Sequence, residues 1–405
     1  METVDILIKN ANEILTLKGP IRPRKKEEMN HLSIINNSSI AINKGIIIDI
    51  GKNLNYKAKK TIDAKEKTVM PGFVDPHTHL VFAGSREFEL DWKLKGLTYM
   101  DILKKGGGIV YTVNETRRAS VTDLLKQSRK RLDNMLLHGT TTCEAKTGYG
   151  LNTETELKIL KINKKLDENH PVDIVSTFLG AHAVSKEYKT DDYVNLVIDE
   201  MIPKIKNYAS FCDVFCEKGV FTIEQSRKIL NAGKKHGLIP KIHADEIVDT
   251  KGAFLAAEIG AISADHLLMS NDDGLKQMAK KGVIGVMLPG TPFSLMMNKY
   301  APARRIINLG VPIALATDLN PNCWIENMQF IIQLACLNMK MTPAEAITAA
   351  TYNAACAIGF DKKIGSLEVG KQADVIILDI PNYKFLSYFI GRNLVKNVIK
   401  KGIIV

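Results

Sequence analysis

The hydrophobic pattern along this chain changes style twice. Up to about residue 68, short alternating runs such as Asp5-Ile6-Leu7-Ile8, Ser39-Ile40-Ala41-Ile42 and Ile46-Ile47-Ile48-Asp49-Ile50 are separated by Gly and Asn turns. That is the period-two signature of hairpin strands. The middle reads differently, with apolar strand segments at 69–79, 140–146, 173–182, 213–217, 239–243, 262–266, 283–289 and 311–318. Between them lie helical patterns, for example 120–137, 154–166, 192–206, 223–236, 250–260 and 272–281. Eight strands alternating with helices predict a parallel (β/α)8 barrel. After Gly365 the first style returns, at Ala373-Asp374-Val375-Ile376-Ile377-Leu378 and Val395-Lys396-Asn397-Val398-Ile399. The expected fold is therefore α/β: a TIM-like barrel over 69–355, flanked by a small composite β-sandwich domain that 1–68 and 356–405 build together. Such a domain requires the two chain ends to meet in space.

Length and composition agree with this picture. A chain of 405 residues holds one core of barrel size plus a smaller unit. Hydrophobic content of 45% with 24% charged residues is ordinary for a globular protein, and no apolar run approaches the ~20 residues of a membrane span. The start Met1-Glu2-Thr3-Val4-Asp5-Ile6 lacks a basic flank and a long apolar stretch, so a cytoplasmic protein is expected. Six scattered cysteines match no disulfide framework or zinc knuckle and read as buried free thiols. The net charge of +11 raises the question of a nucleic-acid partner. Patterning argues against it, because lysines are spread along amphipathic stretches and the basic runs are no longer than Arg22-Pro23-Arg24-Lys25-Lys26. Neither a nucleic-acid nor a membrane partner is expected.

The candidate chemistry starts at Asp75-Pro76-His77-Thr78-His79. At the end of a buried strand, residues i and i+2 point to one side, so His77 and His79 face one point. Two histidines alone are weak support for a metal. Barrel enzymes, however, build their sites at the carboxyl ends of the strands, and there the chain also places His182, His243, His266 and Asp318. Five of the nine histidines fall on this rim; His31, His138, His170 and His236 lie elsewhere and read as surface or capping residues. His77, His79, His243 and Asp318 form a set of three imidazoles and one carboxylate, suited to a metal with room left for water. The fourth strand ends in Cys216-Glu217-Lys218 rather than a bridging lysine, which favours one metal over two. Such a centre makes water acidic enough to act as a nucleophile at neutral pH. Hydrolysis follows, with Asp318 accepting a proton and Glu246 and His266 moving protons to a leaving nitrogen. Glu246 in His243-Ala244-Asp245-Glu246 also suits a helix-start carboxylate.

With these residues in place, the chain resembles the amidohydrolase superfamily almost from end to end. The carriers are the string from Pro71-Gly72-Phe73-Val74 through His77-Thr78-His79 to Ala83-Gly84-Ser85-Arg86-Glu87, then Lys146-Thr147-Gly148-Tyr149-Gly150-Leu151, Gly180-Ala181-His182-Ala183, His243-Ala244-Asp245-Glu246, Asp265-His266-Leu267 and Ala316-Thr317-Asp318-Leu319-Asn320-Pro321. The tail Ile364 to Asp374 resembles the superfamily's composite β domain. Ala-Gly-Ser-Arg-Glu and Lys-Thr-Gly-Tyr-Gly-Leu point, within the superfamily, to a ring-opening branch of histidine degradation.

That resemblance implies hydrolysis of 4-imidazolone-5-propanoate to N-formimidoyl-L-glutamate with one zinc or iron ion per subunit, and as partners a small anionic substrate and a second copy of the chain in a homodimer. It implies Arg86 as partner of the propanoate carboxylate, through a bidentate fork; a surface ion pair with Glu87 or Glu89 is the alternative. Tyr149, His182 and Asn320 would line the same pocket. The resemblance also places Asn322 and Cys323 among the substrate-binding positions, with one departure: many family members carry Gly and a small hydroxyl residue there. Cys323 reads as a pocket-wall thiol rather than a nucleophile, since no local histidine activates it. Gly106-Gly107-Gly108 lacks the ending of a phosphate loop and reads as a mobile loop near the site. The rival readings are a deaminase of the same superfamily and a catalytically silent assembly protein; the complete set of rim residues weighs against silence.

Overall fold

Both chain ends build one sheet in the computed structural model, which describes residues 2–405. Its amino-terminal strands are β1 (Thr3–Leu15), β2 (Ile34–Asn43), β3 (Ile46–Gly51), β4 (Lys57–Asp63) and β5 (Thr68–Pro71). The barrel follows as β6 (Phe73–Asp75), β7 (Thr140–Lys146), β8 (Asp173–Ala181), β9 (Phe211–Cys216), β10 (Ile239–Ala244), β11 (Ser263–His266), β12 (Ile284–Met287) and β13 (Ile313–Leu315). The chain closes with β14 (Val375–Leu378), β15 (Val395–Lys400) and β16 (Ile403–Ile404).

In the terminal sheet β1 is the hub. One of its edges pairs with β2, while the other pairs with β4 over its first half and with β5 over its second. A register shift between Ile8 and Ala11, with Asn10 at φ 59°, bends β1 where it passes from one leaf to the other. Antiparallel pairing of β5 with β14, and of β14 with β15, brings the carboxyl terminus into the same sheet. Ile6, Ile8, Ile40 and Ile42 from one leaf and Val69, Val375, Ile377 and Ile399 from the other share one apolar core.

The eight barrel strands run in sequence order, each parallel to the next. Closure falls to the segment after β6: Thr78 bridges Leu319, His79 N–H donates to Leu319 at 2.8 Å, and Asp318 N–H donates to His77 at 3.1 Å. The outer helices start where the sequence supplies Ser120, Asn152, Thr222, Asn271 and Thr342, whose side chains accept the orphan N–H groups of the first turn.

Three differences from the sequence pattern have physical causes. The run 69–79 is two strands, not one, because Pro71 and Gly72 carry the chain from the terminal sheet to the barrel. Gly72 N–H donates to Asp374 in the first, Phe73 N–H donates to Gly139 in the second, and a Cβ at Gly72 would overlap Thr141. The helical stretch 192–206 is interrupted by a wide turn at Val197–Met201. Beyond β13, helices Met328–Met339, Pro343–Ala350 and Tyr352–Ala357 cover the barrel before the chain returns to the terminal sheet. Among the described residues no helix is long and apolar enough to cross a membrane.

Candidate active site

His77, His79 and His243 meet at the carboxyl end of the barrel, each offering one ring nitrogen within 4.8 Å of the others. The strand order explains the convergence: β6 ends beside β7 and β13, and Thr78 fills the gap by donating its hydroxyl to Glu144 O at 2.6 Å. Asp75 clamps the same segment to the last strand, accepting from Thr317 Oγ1 at 2.6 Å and Thr317 N at 3.1 Å. Asp318 Oδ1 lies 3.5 Å from His77 Nε2 and 3.7 Å from His79 Nε2, while its other oxygen accepts from Thr291. His266 adds a fourth imidazole, 5.3 Å from His243 between ring centroids. His266 and Asp318 both hold positive φ, 76° and 54°. For non-glycine residues that costs of order 1–3 kcal/mol and concentrates at functional sites.

His77, His79 and His266 are poised as neutral ligands, whereas at His243 burial is outweighed by the Asp213 carboxylate, which raises it. Burial, reinforced by neighbouring cations and imidazoles, drives His77, His79 and His266 well below the usual histidine range. His77 Nε2 and His243 Nε2 are fully buried and find no hydrogen-bond partner. An unpartnered buried polar atom costs about 1–3 kcal/mol, and a bound cation removes that cost. The residues present therefore fit a metal. Carboxylates orient the rings from behind, as is usual for metal-binding histidines: Asp265 Oδ2 lies 2.6 Å from His77 Nδ1, and Asp213 Oδ2 3.1 Å from His243 Nδ1.

Behind those two carboxylates the barrel interior is charged. Lys146 Nζ contacts Asp213 at 2.7 Å, Glu144 at 3.0 Å and Asp265 at 3.4 Å, and Lys241 Nζ contacts Glu144 at 2.9 Å. Burial opposes the Lys146 charge, yet Asp213, Glu144 and Asp265 hold its pKa above the ordinary value. Composition gave no hint of this layer. The period-two spacing of Glu144 and Lys146, and of Lys241 and His243, was its one visible signal.

Above the histidines opens a cavity of about 390 Å³, lined by His79, His182, His243, His266, Glu246 and Asp318 and walled by Arg86, Tyr149, Asn320 and Asn322. His77 is not part of this lining; it sits behind the wall with no exposed surface. A larger outer cavity of about 770 Å³ adjoins it and shares Arg86, Lys93 and Asn322.

Residues 68–405 match the amidohydrolase family. A curated imidazolonepropionase of Alkaliphilus metalliredigens is 52% identical over 410 residues, covering 98% of this chain and 97% of the relative. One from Geobacillus kaustophilus is 53% identical over 414 residues, covering 99% and 97%. The chain belongs to the imidazolonepropionase family. Among solved structures, an adenosine deaminase from Xanthomonas campestris with bound zinc superposes with a TM-score of 0.75 at 18% identity, covering 100% of this chain and 93% of that one. A triazine hydrolase covers 98% and 94% with a TM-score of 0.71 at 15% identity. These two likenesses concern the fold, a barrel with a separate sheet domain from the chain ends.

An imidazolonepropionase is a hydrolase, and its wall residues differ in what they offer. His182 Nδ1 lies 3.1 Å from Gly148 O. A carbonyl only accepts, so Nδ1 carries the hydrogen and Nε2 carries the lone pair. Burial and His243 push His182 down to about 3, which keeps it neutral. Burial raises Tyr149, so its hydroxyl remains a donor. Burial first, then the Asp318 carboxylate, push Glu246 up to about 8, and its Oε2 lies 3.6 Å from His266 Nε2.

Four positions read from the sequence take the following places. Arg86 lines the cavity while pairing with Glu89. Cys323 does not line the cavity: it is 1% exposed, with Sγ 3.6 Å from Thr317 O. Asn320 is occupied within its own turn, its oxygen accepting Asn322 N–H at 2.8 Å and Cys323 N–H at 3.0 Å and its amide donating to Asp318 O at 2.7 Å. Those two backbone donors are thereby used, and Asn322 needs no positive φ. Gly106-Gly107-Gly108 is a built turn, anchored by Gly108 N–H donating to Glu89 Oε1 at 2.7 Å. His138, His170 and His236 stand at helix C-caps, away from the site.

Proposed function

We propose that this chain hydrolyses the cyclic amide of 4-imidazolone-5-propanoate to N-formimidoyl-L-glutamate, with His77, His79, His243 and Asp318 as the metal-holding set. One observation carries the reading: a single cavity brings together a cluster of buried imidazoles, a raised carboxyl and a guanidinium. Zinc or iron, one ion per subunit, suits three imidazoles and a carboxylate and supplies Lewis acidity together with an activated water.

The chain's own residues perform the remaining work. Water adds its oxygen to the ring carbonyl carbon, the bond from that carbon to the ring nitrogen breaks, and the two protons of water are redistributed. Asp318, held by Thr291, accepts one of them. Glu246, with His266 beside it, delivers a proton to the leaving nitrogen. Tyr149 donates to the developing charge, and the His182 Nε2 lone pair accepts a ring N–H. Arg86 faces the propanoate. Asn320 shapes the turn that follows Asp318, Asn322 borders the pocket, and Cys323 supports that turn from below. The barrel body, 69–355, carries this site, and 1–68 with 356–405 form the accompanying β domain.

The reading extends to a homodimer in the cytoplasm. Turnover of imidazolonepropanoate by purified protein, with metal content and solution mass measured on the same sample, tests it. The expected result is ring opening without ammonia and about one zinc or iron per chain. Stoichiometric ammonia would identify a deaminase instead.

A further inference from the structure

The two cavities at the barrel mouth share Arg86, Lys93 and Asn322. Arg86 caps the helix Glu87–Leu94, and Lys93 follows it two turns later on the same face. They are the cations of the inner wall among the described residues. Their charges are not equally available. Arg86 gives Nε and Nη2 to the two oxygens of Glu89, at 2.7 and 2.8 Å, and Glu89 is 1% exposed. That pair is neutral as a unit. Its remaining N–H groups can still bond a ligand, but they add no net charge to the pocket.

Lys93 is different. Its Nζ donates to Asn322 Oδ1 at 2.7 Å, a neutral partner, and it takes part in no ion pair among the described residues. Burial lowers its pKa; Glu89 pulls the other way and Arg86 adds to the lowering. A half-buried ammonium facing a neutral amide is a site that an incoming anion relieves. His79 and His182 line the inner cavity, and Arg86, Lys93 and Asn322 mark the junction where it meets the outer one.

We infer that Lys93, held in place by Asn322, is a second anchor for the substrate carboxylate and supplies the positive charge that selects an acidic over a neutral side chain. The inference rests on the proposed substrate and deepens it. It also gives Asn322 a role: it aims the ammonium.

The test compares imidazolonepropanoate with its side-chain amide on the wild type, Lys93→Gln, Lys93→Arg and Asn322→Ala. Lys93→Gln is expected to raise KM for the acid by about ten- to a hundredfold, the range for a charged hydrogen bond. kcat should stay within about twofold, and the amide should be almost unaffected. Lys93→Arg restores most of the preference for the acid, and Asn322→Ala shows a smaller loss of the same kind. An equal loss for acid and amide in Lys93→Gln, or no loss for either, overturns the anchor and leaves Lys93 as a prop for the Asn322 turn. A wild-type protein that turns over neither compound overturns the functional reading itself, and the anchor with it.

Discussion

Two interiors of this molecule lie equally deep and are built from opposite materials. The terminal sheet encloses isoleucine, valine, leucine and alanine, including Ile8, Ile40, Val69, Val375 and Ile377, all at 0% exposure. The barrel axis, also at 0% exposure, holds Glu144, Lys146, Asp213, Lys241 and Asp265. Burying hydrocarbon is favourable by roughly 25 cal/mol per Å². Burying five charged groups costs several kcal/mol per ion before pairing offsets it. The barrel accepts that cost directly beneath His77 and His243, whose ring nitrogens face two of those carboxylates. The terminal sheet is thus the stabilising body, and the charged axis is an orienting frame for the site.

This contrast fails if substitutions in the two interiors have the same consequences. The largest expected effect is at the imidazoles themselves. His243→Ala should lose the bound metal and at least ~10³-fold in kcat/KM, several kcal/mol of transition-state stabilisation, with secondary structure by circular dichroism retained. Retained metal content with full activity would remove His243 from the proposed set. Next comes Ile377→Ala, which leaves a hole between the two leaves of the terminal sheet. It should lower stability by about 2–5 kcal/mol in denaturant titration while kcat/KM below the transition stays that of the wild type. An activity loss larger than the folded fraction explains would mean that the sheet also shapes the site.

Much of this division was legible in sequence. The eight barrel strands follow from apolar runs at regular spacing, and the rim position of His182, His243, His266 and Asp318 follows from the strand ends. The terminal strands declared themselves by alternation, since one face of each meets a dry core. The charged axis did not. On β7 of this barrel, alternation turns Glu144 and Lys146 inward, so the pair looks like a solvated face to any rule that equates polar with exposed. The Arg86–Glu89–Gly108 contacts and the Lys93–Asn322 pair were hidden for another reason. They join loops and helices that pack together only after the barrel has closed, and only the Arg86–Glu89 spacing hinted at a partner. The break at Gly72 was masked because residues on both sides are apolar, each for a different core.

A smaller effect separates orientation from ligation. Asp265→Asn keeps the shape next to His77 Nδ1 but removes the charge. Loss of such a supporting carboxylate typically costs about 10–100-fold in metal affinity or activity. Metal titration of Asp265→Asn should therefore fall between the wild type and His243→Ala, with folding stability changed little. A variant with wild-type affinity would show that the charged axis serves stability, and the contrast between the two interiors would lose its functional half.

The smallest effect is the sharpest probe of the site's electrostatics. Burial and Asp318 raise Glu246 to about 8 from an ordinary value of 4.5, so its acid form persists through neutral pH and is lost as the pH rises through about 8. Proton delivery to the leaving nitrogen needs that acid form, so kcat should fall on the alkaline side, roughly tenfold per pH unit beyond the pKa. Ile377→Ala leaves Glu246, Asp318 and His266 untouched and should keep the same alkaline limb even as its stability drops. Glu246→Gln should lower kcat and flatten the limb, because the group that titrates is gone. A limb that persists in Glu246→Gln would assign the titration to another group and remove Glu246 as the proton donor, since burial already keeps the neighbouring His266 well below the usual histidine range.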